Sequence, residues 1–187
     1  EDAARLVTAL SPDEATRIID EMEPDEVVDL LAELEPVHQE KFLAQLEDEA
    51  ELRPLLLHPE DTAGGLMTSE YLALGRRMTA AEAVAALHTW KPDVEDVDEV
   101  YTIDRHGRLT GAITMRRLMT AAPDEILIDI ADPEVVSIVA GADQEEAARV
   151  MARYDIDSLP VVDDEGRLLG IITIDDVIDV IEAETTE

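Results

Sequence analysis

Asp175, Asp176, Asp179, Glu182, Glu184 and Glu187 crowd the last twenty residues of the chain, Leu168 to Glu187, and no Lys or Arg stands among them. In a helix Asp175, Asp179 and Glu182 fall at i, i+4 and i+7, so their charges share one face and repel. Such a face needs a cation from outside the sequence. A hard divalent ion supplies one, because Mg²⁺ is held by one or two carboxylates plus retained water. A solvated helix face is the usual explanation for one or two acids, but six without a basic partner favour metal.

The same imbalance runs through the chain, with 14 Lys+Arg against 46 Asp+Glu and a formal net charge of -32 in 187 residues. A field of this sign disfavours nucleic acid and anionic membrane surfaces and concentrates cations. A lysine-poor surface, with only Lys41 and Lys91, is equally what adaptation to salt produces. Clustering, rather than total charge, therefore points to bound ions. The chain has no Cys, and its four His (His38, His58, His88, His106) are scattered, so a thiolate or zinc centre is not expected. No apolar run approaches the roughly 20 residues that span a bilayer, and the chain is expected to be soluble. It opens without Met and closes inside an acidic helix, which suggests an excised piece of a longer protein.

Two repeat systems position these carboxylates. In the first sixty residues Pro12, Pro24 and Pro36 recur every twelve positions, and Leu46-Glu47-Asp48 continues the phase without proline. Proline fits the first turn of a helix, where its missing N–H has no intrahelical partner. Apolar residues follow each proline at helical spacing, as in Val27, Val28, Leu30, Leu31 and Leu34. Helices this short must stack on one another to persist.

After the turn-rich junction Pro54 to Asp61, the segment Tyr101 to Thr114 reappears as Pro160 to Thr173. Each copy predicts a strand, a turn at Asp and Gly, a second strand and then a helix. Upstream, Thr79 with Glu82 and Asp143 with Glu146 read as matching helix-start capping boxes.

The pattern D-x-x-G-R-L-x-G-x-x-T, within a twice-repeated strand, helix, strand, strand and helix, resembles a pair of cystathionine-β-synthase-type (CBS) domains. Pro59-Glu60-Asp61-Thr62-Ala63-Gly64-Gly65-Leu66-Met67-Thr68 at the junction, Asp175 to Glu184 at the end and the acidic helices in front extend the likeness. Together they resemble the cytosolic part of the MgtE family of Mg²⁺ transporters over essentially the full chain. The resemblance implies an α+β chain: an acidic helical N domain at 1–60, CBS repeats at 61–125 and 126–174, and at 175–187 the start of a helix leading to an absent transmembrane pore domain. It further implies a homodimer formed through the CBS modules at the cytoplasmic face of the membrane, with Val84, Ala85, Leu87, Val177, Ile178 and Ile181 as its apolar contact. In this family Mg²⁺ bridges acidic faces of a compact, pore-closing arrangement that loosens when internal Mg²⁺ falls.

Carried onto this sequence, the implied ligands form three groups. Asp25, Glu26 and Asp29 begin the N-domain helix that opens at Pro24, where favourable charge at a helix N-terminus is the alternative reading. Asp143, Glu145, the Ala152 carbonyl and Asp155 flank the helix of the second repeat, Asp143 being equally a cap. Asp175, Asp176, Asp179, Glu184 and Glu187 belong to the terminal helix, and Gly65 offers a backbone carbonyl.

CBS pairs also bind adenine nucleotides through G-h-x-T-x-x-D, in which Thr reaches a phosphate and Asp the ribose. The second repeat keeps this as Gly170 to Asp176, with Thr173 and Asp176 in those roles. The first repeat has Thr114 but places Arg117 where the acid belongs, and Arg accepts no hydrogen bond; Arg116 could still pair with a phosphate. ATP binding is therefore expected to be weak or absent. The alternative function is a nucleotide-binding CBS regulatory module of an enzyme or another carrier. Catalysis is not expected, because no nucleophile elbow, phosphate loop or Cys/His pair is present.

Overall fold

The computed structural model describes residues 6–7, 9–19, 21–22, 24–46, 49–90 and 98–178. Its N-terminal part contains α1 (Pro12–Ile19), α2 (Pro24–Ala32), α3 (Pro36–Leu43) and α4 (Glu49–Leu55). Each of the three regularly spaced prolines is the first residue of its helix, as their geometry favours. α2 buries Val27, Val28, Leu30 and Leu31 and packs against α3 and α4. Helices of seven to nine residues have little stability alone, so this shared core holds them.

Two similar α/β units follow. The first comprises α5 (Ala63–Leu66), β1 (Ala73–Gly75), α6 (Ala80–Trp90), β2 (Glu99–Ile103), β3 (Leu109–Thr114) and α7 (Met115–Thr120). The second comprises α8 (Leu127–Ile130), β4 (Ile138–Val139), α9 (Gln144–Tyr154), β5 (Ser158–Val162) and β6 (Leu168–Thr173), with residues 174–178 helical after it. Each unit has a three-stranded sheet, β1-β2-β3 or β4-β5-β6, whose first pair is parallel and second antiparallel. Glu99 opposes Thr114 in one sheet as Ser158 opposes Thr173 in the other, and both hairpins carry an irregularity at the same place.

The short helices exchange places between the units. Ahead of the first sheet in the chain, α5 donates Ala63 and Gly64 N–H to the Ala142 and Ala140 carbonyls of the second unit, at 2.7 and 2.9 Å. Thr68 then pairs with Ile171 at the edge of β6. Conversely, α8 donates Leu127 and Ile128 N–H to the carbonyls of Met78 and Arg76, both at 2.9 Å. Each of these helices precedes one repeat in sequence and packs on the other in space. Gly170 permits the crossing, since a Cβ there would lie 2.8 Å from the Thr68 carbonyl oxygen and from Met67.

One buried cluster runs from the N-terminal helices through Leu52, Leu55, Ala63 and Met67 into the second sheet at Leu159, Val161 and Ile172. A second cluster, around Val100, Ile113, Leu118 and Leu127, fills the first unit. Tyr101, Ala112 and Ile171 pack between the two sheets. Val177 is 2% exposed and belongs to the first cluster, so the expected dimer contact loses this residue to the chain's own core. Ile178 and Ala85 are exposed, and Ile181 lies outside the described residues.

The capping expectations divide. Thr79 and Glu82 form the reciprocal box, with Thr79 N–H to Glu82 Oε2 at 2.7 Å and Glu82 N–H to Thr79 Oγ1 at 3.3 Å. At α9 the Asp143 carboxylate instead takes the Glu145 N–H at 2.8 Å, and Glu146 donates its N–H to the Asp143 carbonyl at 3.0 Å. Asp is short enough to cap its own helix two residues on.

Candidate functional site: an acidic seam and an acidic cleft

Three parts of the chain bring carboxylates toward Asp29. This residue lies on α2, and its carboxyl is pushed above the ordinary aspartate value first by desolvation, then by the charges of Glu60, Glu33, Asp176 and Glu26. Asp29 stays exposed as a residue. Solvent screening therefore discounts the burial, and the identity of the neighbouring charges is the more informative cause. Glu33 and Glu26 share the N-terminal region with Asp29, whereas Glu60 comes from the junction and Asp176 from the helix after β6.

Local structure fixes these partners. Asp176 accepts the Thr173 N–H at 3.0 Å and the Thr173 hydroxyl at 2.7 Å, so its carboxylate is anchored at the start of its helix. Glu60 sits where residues 59 and 60 lie against α5. A Cβ at Gly65 would collide with the Pro59 carbonyl oxygen and come within 2.8 Å of the Glu60 backbone. Gly65 thus lets the junction fold close against this helix, a role its sequence motif did not reveal. Its N–H bonds the Thr62 carbonyl at 2.9 Å and the Thr62 hydroxyl at 3.3 Å.

The other sequence-predicted ligands are more dispersed. Asp25 and Glu26 occupy the first turn of α2. Asp143 is the N-cap of α9, and Glu145 holds Arg149 at 2.8 Å. Ala152 is exposed on α9. Asp155 ends that helix in the left-handed conformation, φ 52° and ψ 52°, with its N–H on the Met151 carbonyl. A short polar side chain tolerates this backbone, so a helix-terminating role accounts for Asp155 in the absence of metal. Asp179, Glu184 and Glu187 lie outside the described residues. Among the described residues, no three His, Asp or Glu side chains converge as a metal centre.

A cavity of about 320 Å³ lies between the two repeats. Its walls include Tyr71, Trp90 and Tyr101 together with the carboxylates Glu70, Asp98, Glu99, Asp157 and Asp175. The Tyr101 and Ser158 hydroxyls are 2.8 Å apart and tie the repeats together at the cavity wall. Burial pushes the Tyr101 phenol up to about 12. Glu99 is raised above the ordinary glutamate value, first by desolvation and then by Asp98 and Asp132.

Of the expected nucleotide contacts, Thr173 lines this cavity. Thr114 instead caps α7 by accepting the Arg117 N–H, Arg116 is exposed on that helix, and Arg117 lies 3.4 Å from Glu125. No Lys or Arg is found among the described lining residues. The cavity was missed in the sequence because Tyr71, Trp90 and Glu99 belong to no motif, although Glu99 stands at the same register position as Ser158.

The MgtE intracellular N domain family matches residues 1–61, and the CBS domain family matches residues 127–183. The crystal structure of the soluble part of a magnesium transporter is 34% identical, superposes with a TM-score of 0.88, and is matched over 98% of this chain and 72% of that one. The chain belongs to the MgtE family. The cytosolic domain of an MgtE Mg²⁺ channel, solved in complex with ATP, is 38% identical with a TM-score of 0.80, over 95% of this chain and 78% of that one. The magnesium transporter MgtE of Thermus thermophilus is 49% identical over 138 residues, which are 74% of this chain and 31% of that protein. This MgtE-family chain thus spans about a third of the length of that curated relative.

As an MgtE-family member the chain is non-enzymatic. Its matches to dehydrogenases reflect the CBS repeats, as with the inosine-5'-monophosphate dehydrogenase of Nitrosopumilus maritimus, 29% identical over 44% of this chain and 17% of that enzyme. The α+β architecture, with N-terminal helices ahead of a CBS pair, is that of the MgtE cytosolic domain. Among the described residues, no helix is long and apolar enough to cross a membrane.

Proposed function

We propose that this chain is the Mg²⁺-sensing cytosolic region of a Mg²⁺ transporter, in which Mg²⁺ bridges acidic faces of the N domain, the CBS pair and the connecting helix to favour a closed pore. The observation that supports this reading is that the charges of Glu60 from the junction and Asp176 from the helix after β6 act on the Asp29 carboxyl of α2. Its ionised form is disfavoured first by desolvation and then by these acids, although among the described residues they do not converge as a ready-made metal centre. A divalent ion there offsets their repulsion and stabilises the compact arrangement by mass action. Hard oxygen donors of this kind fit Mg²⁺, which keeps several of its waters and needs few direct protein ligands.

In this reading Asp25, Glu26 and Asp29 face Asp175, Asp176, Asp179, Glu184 and Glu187, with the Gly65 carbonyl at the junction. Asp143, Glu145, Asp155 and the Ala152 carbonyl hold a further ion at the second repeat. Residues 1–60 act as the acidic helical N domain, 61–125 and 126–174 as the two CBS repeats, and 175–187 as the helix leading to the pore. The protein works as a homodimer through its CBS modules, at the cytoplasmic face of the membrane.

The test is the melting temperature of the chain in millimolar MgCl₂ against NaCl of equal ionic strength. Coordination predicts a much larger rise with MgCl₂, because screening relieves repulsion without bridging it. Equal responses would assign the acidity to salt adaptation. A nucleotide-responsive module is the less favoured reading, since the described lining of the cleft offers a triphosphate five carboxylates and no basic side chain.

A further inference from the structure

The cleft between the repeats has a chemistry that the acidic seam does not explain. Three aromatic side chains, Tyr71, Trp90 and Tyr101, and two aliphatic ones, Ile171 and Ile174, share its lining with five carboxylates. Glu70, Asp98 and Glu99 come from the first repeat and Asp157 and Asp175 from the second, so negative charge is supplied from both sides. Yet among the described residues no three acids approach closely enough to form a metal centre. The charges are therefore distributed along a cavity rather than focused on a point. A small hard ion satisfies a focus; an extended cation satisfies a distribution.

We propose that this cleft binds a linear aliphatic oligoamine, whose ammonium groups pair with carboxylates of both repeats while its methylene segments lie against the aromatic and aliphatic walls. Ammonium groups are attracted to aromatic faces as well as to carboxylates, and methylenes gain from apolar burial. The cavity, about 320 Å³, falls at the lower end of the range for small-molecule sites, roughly 300–1,000 Å³, and so has room for a small ligand. The partly desolvated Glu99, already crowded by Asp98 and Asp132, gains from a neighbouring positive charge. The cleft shares Asp175 with the proposed Mg²⁺ ligands but draws its other four carboxylates, Glu70, Asp98, Glu99 and Asp157, from outside that set, so it does not depend on Mg²⁺ at Asp29.

Trp90 is the only tryptophan and lines the cavity, so its fluorescence reports occupancy directly. Spermidine is titrated into the full chain at fixed ionic strength, beside MgCl₂, metal-free ATP, and the variants Glu99→Gln and Asp157→Asn. The expected result is a saturable one-to-one fluorescence change with spermidine, weakened about tenfold in each variant by loss of a charge-assisted bond. Circular dichroism of the variants serves as the folding control. An unsaturable response, one reproduced by MgCl₂ at equal ionic strength, or one unchanged in both folded variants would overturn the proposal. Binding of metal-free ATP as tight as that of spermidine would also overturn it, because a cleft receptive to a tetra-anion is not selecting cations.

Discussion

Asp29 shows how a single carboxyl records the arrangement of distant parts. Its proton is held more tightly in the folded chain than in the unfolded one. Its contribution to stability is therefore fully present below the ordinary aspartate value of 3.8 and is lost as pH rises through the raised folded value. At neutral pH, without metal, ionised Asp29 is a cost. Asp29→Asn should accordingly raise the melting temperature of the metal-free chain at pH 7 by about 1–3 °C, as expected for relief of a solvent-screened repulsion. It should also reduce the further rise on adding MgCl₂. A lower metal-free melting temperature, measured calorimetrically, would contradict this assignment. Asp104 and Asp163 respond oppositely, since backbone N–H donors hold both below the usual value and their contribution is lost on acidification.

Asp176 separates charge from capping at the same scale. Asn keeps an oxygen for the Thr173 N–H and hydroxyl but removes the negative charge. Asp176→Asn should therefore fold normally and lose much of the Mg²⁺ response, whereas Asp176→Ala should in addition destabilise by about 1 kcal/mol through loss of the cap. Thermal melts with and without MgCl₂ distinguish the two. Equal Mg²⁺ responses in the Asn variant and the parent chain would remove this residue from the seam.

At the scale of elements, Gly65 connects packing to charge. Gly65→Ala forces the Pro59–Glu60 backbone away from α5 and should cost about 1–3 kcal/mol, the usual range for overpacking a close contact. Urea denaturation measures it, and an unchanged midpoint would mean that the junction relaxes freely. The proline-led helices and the strand–turn–strand hairpins were legible in the sequence because proline placement and alternating apolar residues act locally. The exchange of α5 and α8 was not legible, because it depends on backbone hydrogen bonds between residues 63 and 142 or 127 and 78, which no periodicity records. Asp143 and Asp155 were legible as acids at the ends of a helix, but the same positions suit a cap and a left-handed terminus. Composition alone could not choose between these roles and metal binding.

For the whole molecule, the net charge of -32 makes any compact arrangement work against self-repulsion. The buried cluster joining the N-terminal helices to the second repeat supplies the opposing apolar term. Leu31→Ala, at a fully buried position of α2, should destabilise by about 2–5 kcal/mol and raise the MgCl₂ concentration needed to reach the compact form in small-angle scattering. The same midpoint in the variant and the parent would uncouple the N-domain core from ion-dependent closure. The most direct test of the central claim is a crystal structure of the chain grown in MgCl₂. The account predicts an ion between the acidic faces of α2 and the helix after β6, with carboxylate oxygens at about 2.1 Å or bridged through its waters. Well-ordered density with Asp29 and Asp176 facing bulk solvent and no ion between them would contradict it.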